Sequence, residues 1–291
     1  MTKKSIAKFC ALAAGIAAIP AVSFAGTESS GKEAKKLTEV VKESCITGDL
    51  GVSFVSEYIS RGLVLENQGV IAQPFTDLYF KLYSGDGFIN KVSFNLGLWS
   101  SIHSHSQAIP GSTSRNWYEF DYTAGFAVTF AKNFTGTLSY FEFISPSDSF
   151  GTARSVNFNL AYDDTDLLGK FALHPHVTVL REIEGAAGLQ DDGWYFEAGI
   201  APSYSPVAGL TFSLPITAGF GDDNFYAGDN FGYVSAGITA SVPLSFVPSC
   251  YGAWTFTTGY TYYHLGDNVA DATASGDENR HVFQGGIVLT F

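Results

Sequence analysis

Apolar and polar residues alternate along most of the chain from Gly48 onward. The clearest case runs from Leu210 to Phe220, where every second residue is Leu, Phe, Leu, Ile, Ala and Phe. The residues between them are Thr, Ser, Pro, Thr and Gly. Because successive side chains of a β-strand point to opposite faces, this segment is predicted to be a strand with one apolar face and one small, hydroxylated face.

Twelve segments carry this alternation. They cover residues 49–63, 72–84, 89–102, 116–130, 133–146, 153–163, 169–182, 192–204, 209–221, 231–245, 252–266 and 279–291. Most of the connections between them alternate between short turns and longer stretches rich in Gly, Asp, Ser or His. An even number of strands with short turns at one end and longer loops at the other is typical of bacterial outer-membrane barrels.

The polar faces differ from those of a sheet in water. Charged residues make up 15% of the chain, against about 25% in an ordinary soluble domain. Between Asn230 and Gly266 there is no Asp, Glu, Lys or Arg, and an exposed sheet edge of that composition would aggregate. We therefore predict an all-β protein, a closed antiparallel transmembrane β-barrel of twelve strands over residues 49–291, in the bacterial outer membrane.

The first 48 residues have a different pattern. Lys3, Lys4 and Lys8 precede a short apolar run that Pro20 interrupts, and small residues end it at Ala25. This order predicts a secretory signal peptide over residues 1–25. Residues 26–48 are rich in charge with apolar positions near helical spacing, which predicts a periplasmic arm or a short helix.

Net charge and cysteines narrow the possible partners. The formal charge of −12 argues against nucleic acid as a partner, because phosphate binding needs a basic patch. After the predicted leader is removed, Cys45 and Cys250 remain. Two cysteines in an exported protein permit one disulfide, and both flank strands predicted to end on the periplasmic side.

Charged residues on the inward faces are the candidate functional residues. By parity they are Glu57, Arg61, Asp77, Lys81, Glu119, Asp121 and Glu197. One interpretation is a charged pore wall for small polar solutes or ions, with a weak cation preference. The other is a packed network that fills the lumen, because twelve strands lie between filled barrels of about eight strands and open ones of about sixteen.

Other chemistry is less strongly indicated. His174 and His176 share one strand face, but no Cys or third His is near in sequence, so no metal and no cofactor is expected. The run His103-Ser104-His105 raises the alternative of an outer-membrane lipid hydrolase, although neighbouring Ser and His do not by themselves form a catalytic site. A closed structural or adhesive barrel is a third possibility, and we expect no enzyme activity.

Two stretches resemble known outer-membrane proteins. The last strand ends in Phe291 and resembles the signal by which barrels are recognised for insertion, which implies the barrel-assembly machinery as a partner. The run Ser56-Glu57-Tyr58-Ile59-Ser60-Arg61-Gly62, followed by Gln73-Pro74, resembles the opening of the TorF-type putative porins, with Glu57 where that family has Asp. The resemblance implies a small porin surrounded by outer-membrane lipid and lipopolysaccharide.

Overall fold

A computed structural model describes residues 44–105, 116–207, 209–273 and 276–291. The predicted signal peptide and most of the predicted arm lie outside the described residues. The strands are β1 (Ile46–Val55), β2 (Tyr58–Ser60), β3 (Leu63–Glu66), β4 (Ile71–Ser84), β5 (Ile89–His103), β6 (Trp117–Phe130), β7 (Phe134–Ile144), β8 (Ala153–Tyr162), β9 (His176–Glu184), β10 (Trp194–Ile200), β11 (Ser203–Val207), β12 (Leu210–Ser213), β13 (Ile216–Gly221), β14 (Phe231–Pro243), β15 (Ala253–Leu265) and β16 (Asn279–Thr290); the helices are α1 (Thr165–Leu168) and α2 (Asp267–Asp271). Within the described ranges, no helix has both the length and the apolar character needed to cross a membrane.

The strands close into one antiparallel barrel. Strands β2 and β3 form a separate hairpin. Strands β10 and β11 are two halves of one wall strand, and β12 and β13 are two halves of the next. Each wall strand pairs with its sequence neighbours, and β16 pairs with both β15 and β1, which closes the ring. The described residues therefore form twelve wall strands, and the predicted fold class is confirmed.

Prolines explain the two divided strands. Pro202 separates β10 from β11, and Pro215 lies between β12 and β13. A proline cannot donate a ladder hydrogen bond, so it interrupts the pairing of a strand. The Leu214 N–H donates to the carbonyl of Pro202 at 2.9 Å and holds the two interruptions side by side.

The two faces of the wall agree with the alternation in the sequence. Phe283 is 61% exposed and Ile216 is 45% exposed on the outer face, whereas Glu119 and Asp121 are at most 1% exposed on the inner face. Large exposed apolar side chains all around a closed ring require a lipid surrounding. The protein is thus a transmembrane barrel of the bacterial outer-membrane type.

Two strand predictions are corrected. The first strand ends at Val55 rather than at residue 63, because the chain then turns inward and forms the β2–β3 hairpin. The seventh begins at His176 rather than at residue 169, because α1 and a 3-10 turn occupy residues 165–171. In both cases, a second short element replaces one end of a predicted strand.

The hydrophobic core lies inside the barrel at the end that carries the long loops. Its members come from the β2–β3 hairpin, from the loop ends of the wall strands and from the loops themselves, including Leu63, Phe143, Tyr195, Phe225 and Val269. The β4–β5 turn and the chain terminus at β16 lie at the opposite end. Since bacterial barrels place short turns in the periplasm, we call the core end the outer end and the other the inner end.

Candidate functional site

The β2–β3 hairpin crosses the outer end of the lumen. Ser60 pairs with Leu63, which leaves Arg61 and Gly62 as a two-residue turn. Their φ angles are 47° and 85°, and positive φ at both positions is the pattern of a type I′ hairpin turn. A Cβ added to Gly62 would lie 3.0 Å from the Tyr233 ring, so glycine is favoured here by both the backbone conformation and the close approach to the wall.

One side of the hairpin is anchored by Tyr58. Its ring lies 5.3 Å from that of Trp99 on β5. Its hydroxyl donates to Glu119 Oε2 on β6 at 2.9 Å. Tyr58 is 3% exposed, and aromatic contacts of this kind contribute to stability beyond the area they bury. The hairpin is therefore packed against the wall rather than loosely tethered.

The tip of the hairpin reaches the opposite wall. The Arg61 guanidinium carbon lies 5.4 Å from the ring centroid of Phe143 on β7 and 5.8 Å from that of Tyr195 on β10. Both distances are in the range of cation–π attraction. The Tyr226 hydroxyl donates to the carbonyl oxygen of Arg61 at 2.7 Å. Arg61 therefore lies inside the lumen as predicted, but on an inserted hairpin and not on the first wall strand.

Two buried carboxyl groups accompany Arg61. Asp121 pairs directly with Phe143 across the β6–β7 ladder, and Glu119 is two residues away on the same face of β6. Both interact electrostatically with Arg61. The two carboxyl groups interact with each other, and no other described residue donates a hydrogen bond to Oε1 of Glu119 or to either carboxyl oxygen of Asp121. Buried charges with few partners are costly, so Glu119 and Asp121 are candidates for a functional role.

Glu57 has a structural partner. Nε and Nη2 of Arg280 donate to its Oε2 at 2.8 and 2.7 Å. The Arg280 side chain is 8% exposed and that of Glu57 is 18% exposed. The pair ties the start of the hairpin segment to β16. Glu57 is therefore part of the hairpin anchor, whereas parity had placed it on the wall of a pore.

The remaining predicted residues lie lower in the lumen. Glu197 accepts hydrogen bonds from the hydroxyls of Tyr195 and Tyr233 at 2.6 and 2.9 Å. Asp77 and Lys81 share the inner face of β4, and Asp77 pairs across the ladder with Asp49. Seven candidate residues thus divide into an upper group around the hairpin and a lower group on the wall.

Small and polar side chains line the lumen below the hairpin. The inward positions in this region are Ser93, Asn95, Thr123, Ser139, Asn159, Thr178, Thr217, Thr239, Thr257 and Gln284. Several of them bond to each other, as Asn159 does to Thr178 at 2.9 Å. The barrel therefore combines a packed outer half with an inner half whose lining is hydrophilic.

His103 is directed inward and not toward the loop serines. Its Nε2 is 2.8 Å from Oγ of Ser101, and its Nδ1 is 3.7 Å from Oε2 of Glu66. Ser104 instead accepts a hydrogen bond from the N–H of Val70. In space, His103 thus lies between Ser101 and Glu66, as the histidine of a Ser–His–acid triad lies between the other two residues. Each of the three residues is at most 2% exposed.

A second titratable cluster lies at the inner end. Ligand atoms of Asp163, Asp164 and His174 lie within 4.8 Å of one another. Burial by itself raises the pKa of Asp164, but its carboxylate accepts the N–H groups of Leu173 and His174, and the resulting pKa is lowered. These bonds hold the turn before β9. His176 lies apart from this group, 3.8 Å from Glu197, so the two histidines do not form a ligand pair.

The predicted disulfide is not formed in this structure. Cys45 and Cys250 are free and exposed. The carbonyl of Cys45 accepts the N–H of Lys81 on β4, so Cys45 lies on the side of β1 that faces away from β16. Cys250 precedes β15, on the far side of β16. Two strand spacings of about 4.8 Å each separate β1 from β15, which is more than the roughly 7 Å that a disulfide allows between Cα atoms.

Sequence parity missed several residues of the upper group. Tyr58 lies within the predicted first strand, which does not show where the chain leaves the wall, and Glu66 and Tyr226 lie in connections, where alternation carries no information about direction. Phe143 and Tyr195 were assigned to strands without a role. The Arg61-Gly62 dipeptide between two short β-type runs was the available signal, since turn residues flanked by strand residues indicate a hairpin.

Comparison with known proteins gives a likeness in fold but none in sequence family. No family model and no curated protein matches the sequence. An outer membrane channel from Pseudomonas putida F1 is 10% identical, with a TM-score of 0.52, over 84% of this chain and 95% of that one. The NanC porin is 11% identical, with a TM-score of 0.44, over 84% of this chain and 100% of that one. The first likeness agrees with the outer-membrane barrel fold described above.

Proposed function

We propose that the protein is a porin-like channel for passive diffusion of small polar solutes or ions, and that the β2–β3 hairpin controls passage. The observation that carries the proposal is the contrast between the two halves of the lumen. The inner half is lined with hydroxyl and amide groups, which can replace the hydration of a passing solute. The outer half is packed by the hairpin together with the long loops, and the hairpin is the element that crosses the lumen there.

The charges of the lower lumen support a weak cation preference. The predicted residues of the lower lumen are the acidic Asp77 and Glu197 and the basic Lys81, and Asp49 adds a further acidic group beside Asp77. Their effect weakens with salt, because the screening length falls to about 3 Å at 1 M. A reversal potential that shows anion preference at low ionic strength would contradict this charge assignment.

Conductance in planar bilayers tests the channel proposal. In one variant, residues 58–66 are replaced by a short Gly-Ser linker, which removes the inserted hairpin and leaves the wall strands intact. We expect brief or small openings in the wild-type protein and several-fold larger, sustained conductance in the variant. The physical reason is that the lining below the hairpin is already hydrophilic.

A matched control changes a different connection. Asp86→Asn alters the exposed β4–β5 turn at the inner end and should conduct like the wild-type protein. All proteins are first shown to be folded by their heat-dependent mobility on gels. If the variant without the hairpin is folded and still does not conduct, the barrel is not a diffusion channel, and a closed structural barrel becomes the better interpretation.

We also propose outer-membrane lipid, lipopolysaccharide and the barrel-assembly machinery as partners. Arg154 and Glu142 pair at 3.0 Å on the lipid face near the outer end, where an anionic glycolipid headgroup can be contacted. Phe291 is 52% exposed beside the β1–β16 closure, which suits recognition during insertion. We further propose that the protein is related to the TorF-type porins, which the resemblance of residues 56–62 supports.

The Ser101–His103–Glu66 arrangement favours a second candidate, an outer-membrane serine hydrolase. The Ser–His distance of 2.8 Å is that of an activated nucleophile, whereas the complete burial of Ser101 opposes access of a lipid. A fluorophosphonate probe distinguishes the two functions. Labelling that is lost in Ser101→Ala and retained in Ser100→Ala would support hydrolysis over diffusion.

A further inference from the structure

The pocket that holds Arg61 has the chemistry of a cation-binding site. We define the Arg61 pocket by Phe143, Tyr195, Glu119 and Asp121. Two aromatic faces lie 5.4 and 5.8 Å from the guanidinium carbon. The carboxyl groups of Glu119 and Asp121, which are at most 1% exposed, lie on β6, the strand next to that of Phe143. Aromatic faces combined with acidic groups recognise guanidinium and ammonium groups.

Negative charge exceeds positive charge around this pocket. Glu182 also interacts electrostatically with Arg61, but its oxygens accept N–H groups of Ala187, Gly188 and Gly193 at 2.5 to 2.8 Å. Glu119 and Asp121 interact with each other, and three of their four oxygens receive no hydrogen bond from any other described residue. Such a pair either shares a proton or accepts a further cationic donor.

Arg61 itself is incompletely matched to the pocket. Its Nη1 is buried and has no hydrogen-bond partner among the described residues, so the fork of the guanidinium does not engage a carboxylate in the bidentate manner. Its φ of 47° is unfavourable for a residue other than glycine. The tip is therefore held by the pocket and by Tyr226, not by the preference of its own turn.

We propose that the Arg61 pocket binds organic cations that carry a guanidinium or primary ammonium group, with Arg61 as its internal occupant. A solute of this class displaces the Arg61 side chain, removes the contacts that hold the tip and releases the hairpin. The binding step stands on the pocket alone. The release step rests on the proposed channel function, because only in a channel does it open a path.

Binding is tested with methylguanidinium and its neutral analogue methylurea, which have the same shape. Calorimetry is performed on the folded full-length chain in detergent, with Arg61→Ala to vacate the pocket. We expect saturable heat with methylguanidinium and none with methylurea. Adding Asp121→Asn should weaken binding by about tenfold or more, since it removes one charge partner in a desolvated site. Adding Asp86→Asn, in the exposed β4–β5 turn, should leave the affinity for methylguanidinium unchanged.

Two further measurements make the outcome decisive. If Arg61→Ala fails to fold, Arg61→Gln keeps part of the side-chain stem and removes the positive charge from the pocket. In bilayers, methylguanidinium should increase the open fraction of the wild-type channel in a saturable way, and methylurea should not. Equal heats for the two compounds, or affinity that Asp121→Asn leaves intact, overturn the proposal.

The two proposals fail in different ways. If the protein without the hairpin conducts but the vacated pocket binds no methylguanidinium, the cation site is refuted and the channel remains. If the pocket binds methylguanidinium but the protein without the hairpin does not conduct, the channel is refuted and the cation site remains.

Discussion

Adjacent positions on one strand should respond in opposite ways to the same substitution. Ile216 faces outward, pairs with Ile200 and Ala236, and is 45% exposed. Thr217 faces the lumen and pairs with Gly199 and Ser235. We compare Ile216→Arg with Thr217→Arg, so that each variant adds the same side chain and the same charge one residue apart.

The expected difference follows from the surroundings. Ile216 lies near the middle of its wall strand, between Leu210 and Gly221, and an arginine on the lipid face near the midplane costs about 2–4 kcal/mol. Since 1.4 kcal/mol is a factor of ten, the folding equilibrium falls by roughly 30- to 700-fold. Residue 217 faces the lumen on the strand paired with that of Glu197, where an arginine avoids lipid and can approach an acidic side chain, so we expect a change close to zero.

Folding into lipid vesicles provides the assay. Unfolding in urea is followed by tryptophan fluorescence, and insertion is checked by heat-dependent mobility on gels. The Ile216→Arg variant should unfold at a lower urea concentration or fail to insert, and the Thr217→Arg variant should match the wild-type protein. Equal midpoints for the two variants would show that the inward and outward assignment of this strand is incorrect.

Three further outcomes are expected. Glu57→Gln should lower the free energy of unfolding by about 3 kcal/mol, because it removes one partner of a largely buried ion pair with Arg280; urea midpoints measure this, and a change below about 0.5 kcal/mol would show that the pair is not a fixed anchor. Cys45 and Cys250 should both react with a maleimide in the folded protein, and protection of both would instead favour the disulfide. Asp164→Asn should be destabilising at neutral pH. Because the folded pKa of Asp164 is lowered, its contribution is present above about pH 4, the ordinary value, and is lost as the pH falls through the folded pKa, so the two proteins should converge in acid.

Alternation in the sequence was enough to determine the barrel wall. In a strand that separates lipid from a lumen, side chains alternate between the two surroundings with a period of two residues. The lipid-facing and lumen-facing residues of strands such as β13 and β16 could therefore be assigned from the sequence. The inward positions of Glu119, Asp121 and Glu197 followed from the same rule. The sequence shows Pro215 inside a predicted strand. That two neighbouring wall strands are interrupted side by side could be seen only in the structure, which places Pro202 next to that interruption.

The inserted hairpin was decided only by the tertiary structure. The period-two pattern continues from β1 through Tyr58 and Ser60, so it does not show where the chain leaves the wall. Arg61 lies next to Phe143 and Tyr195, which are 82 or more residues away in sequence. Contacts of that separation depend on the closure and radius of the whole ring, whereas alternation reports only which face of its own strand a residue occupies.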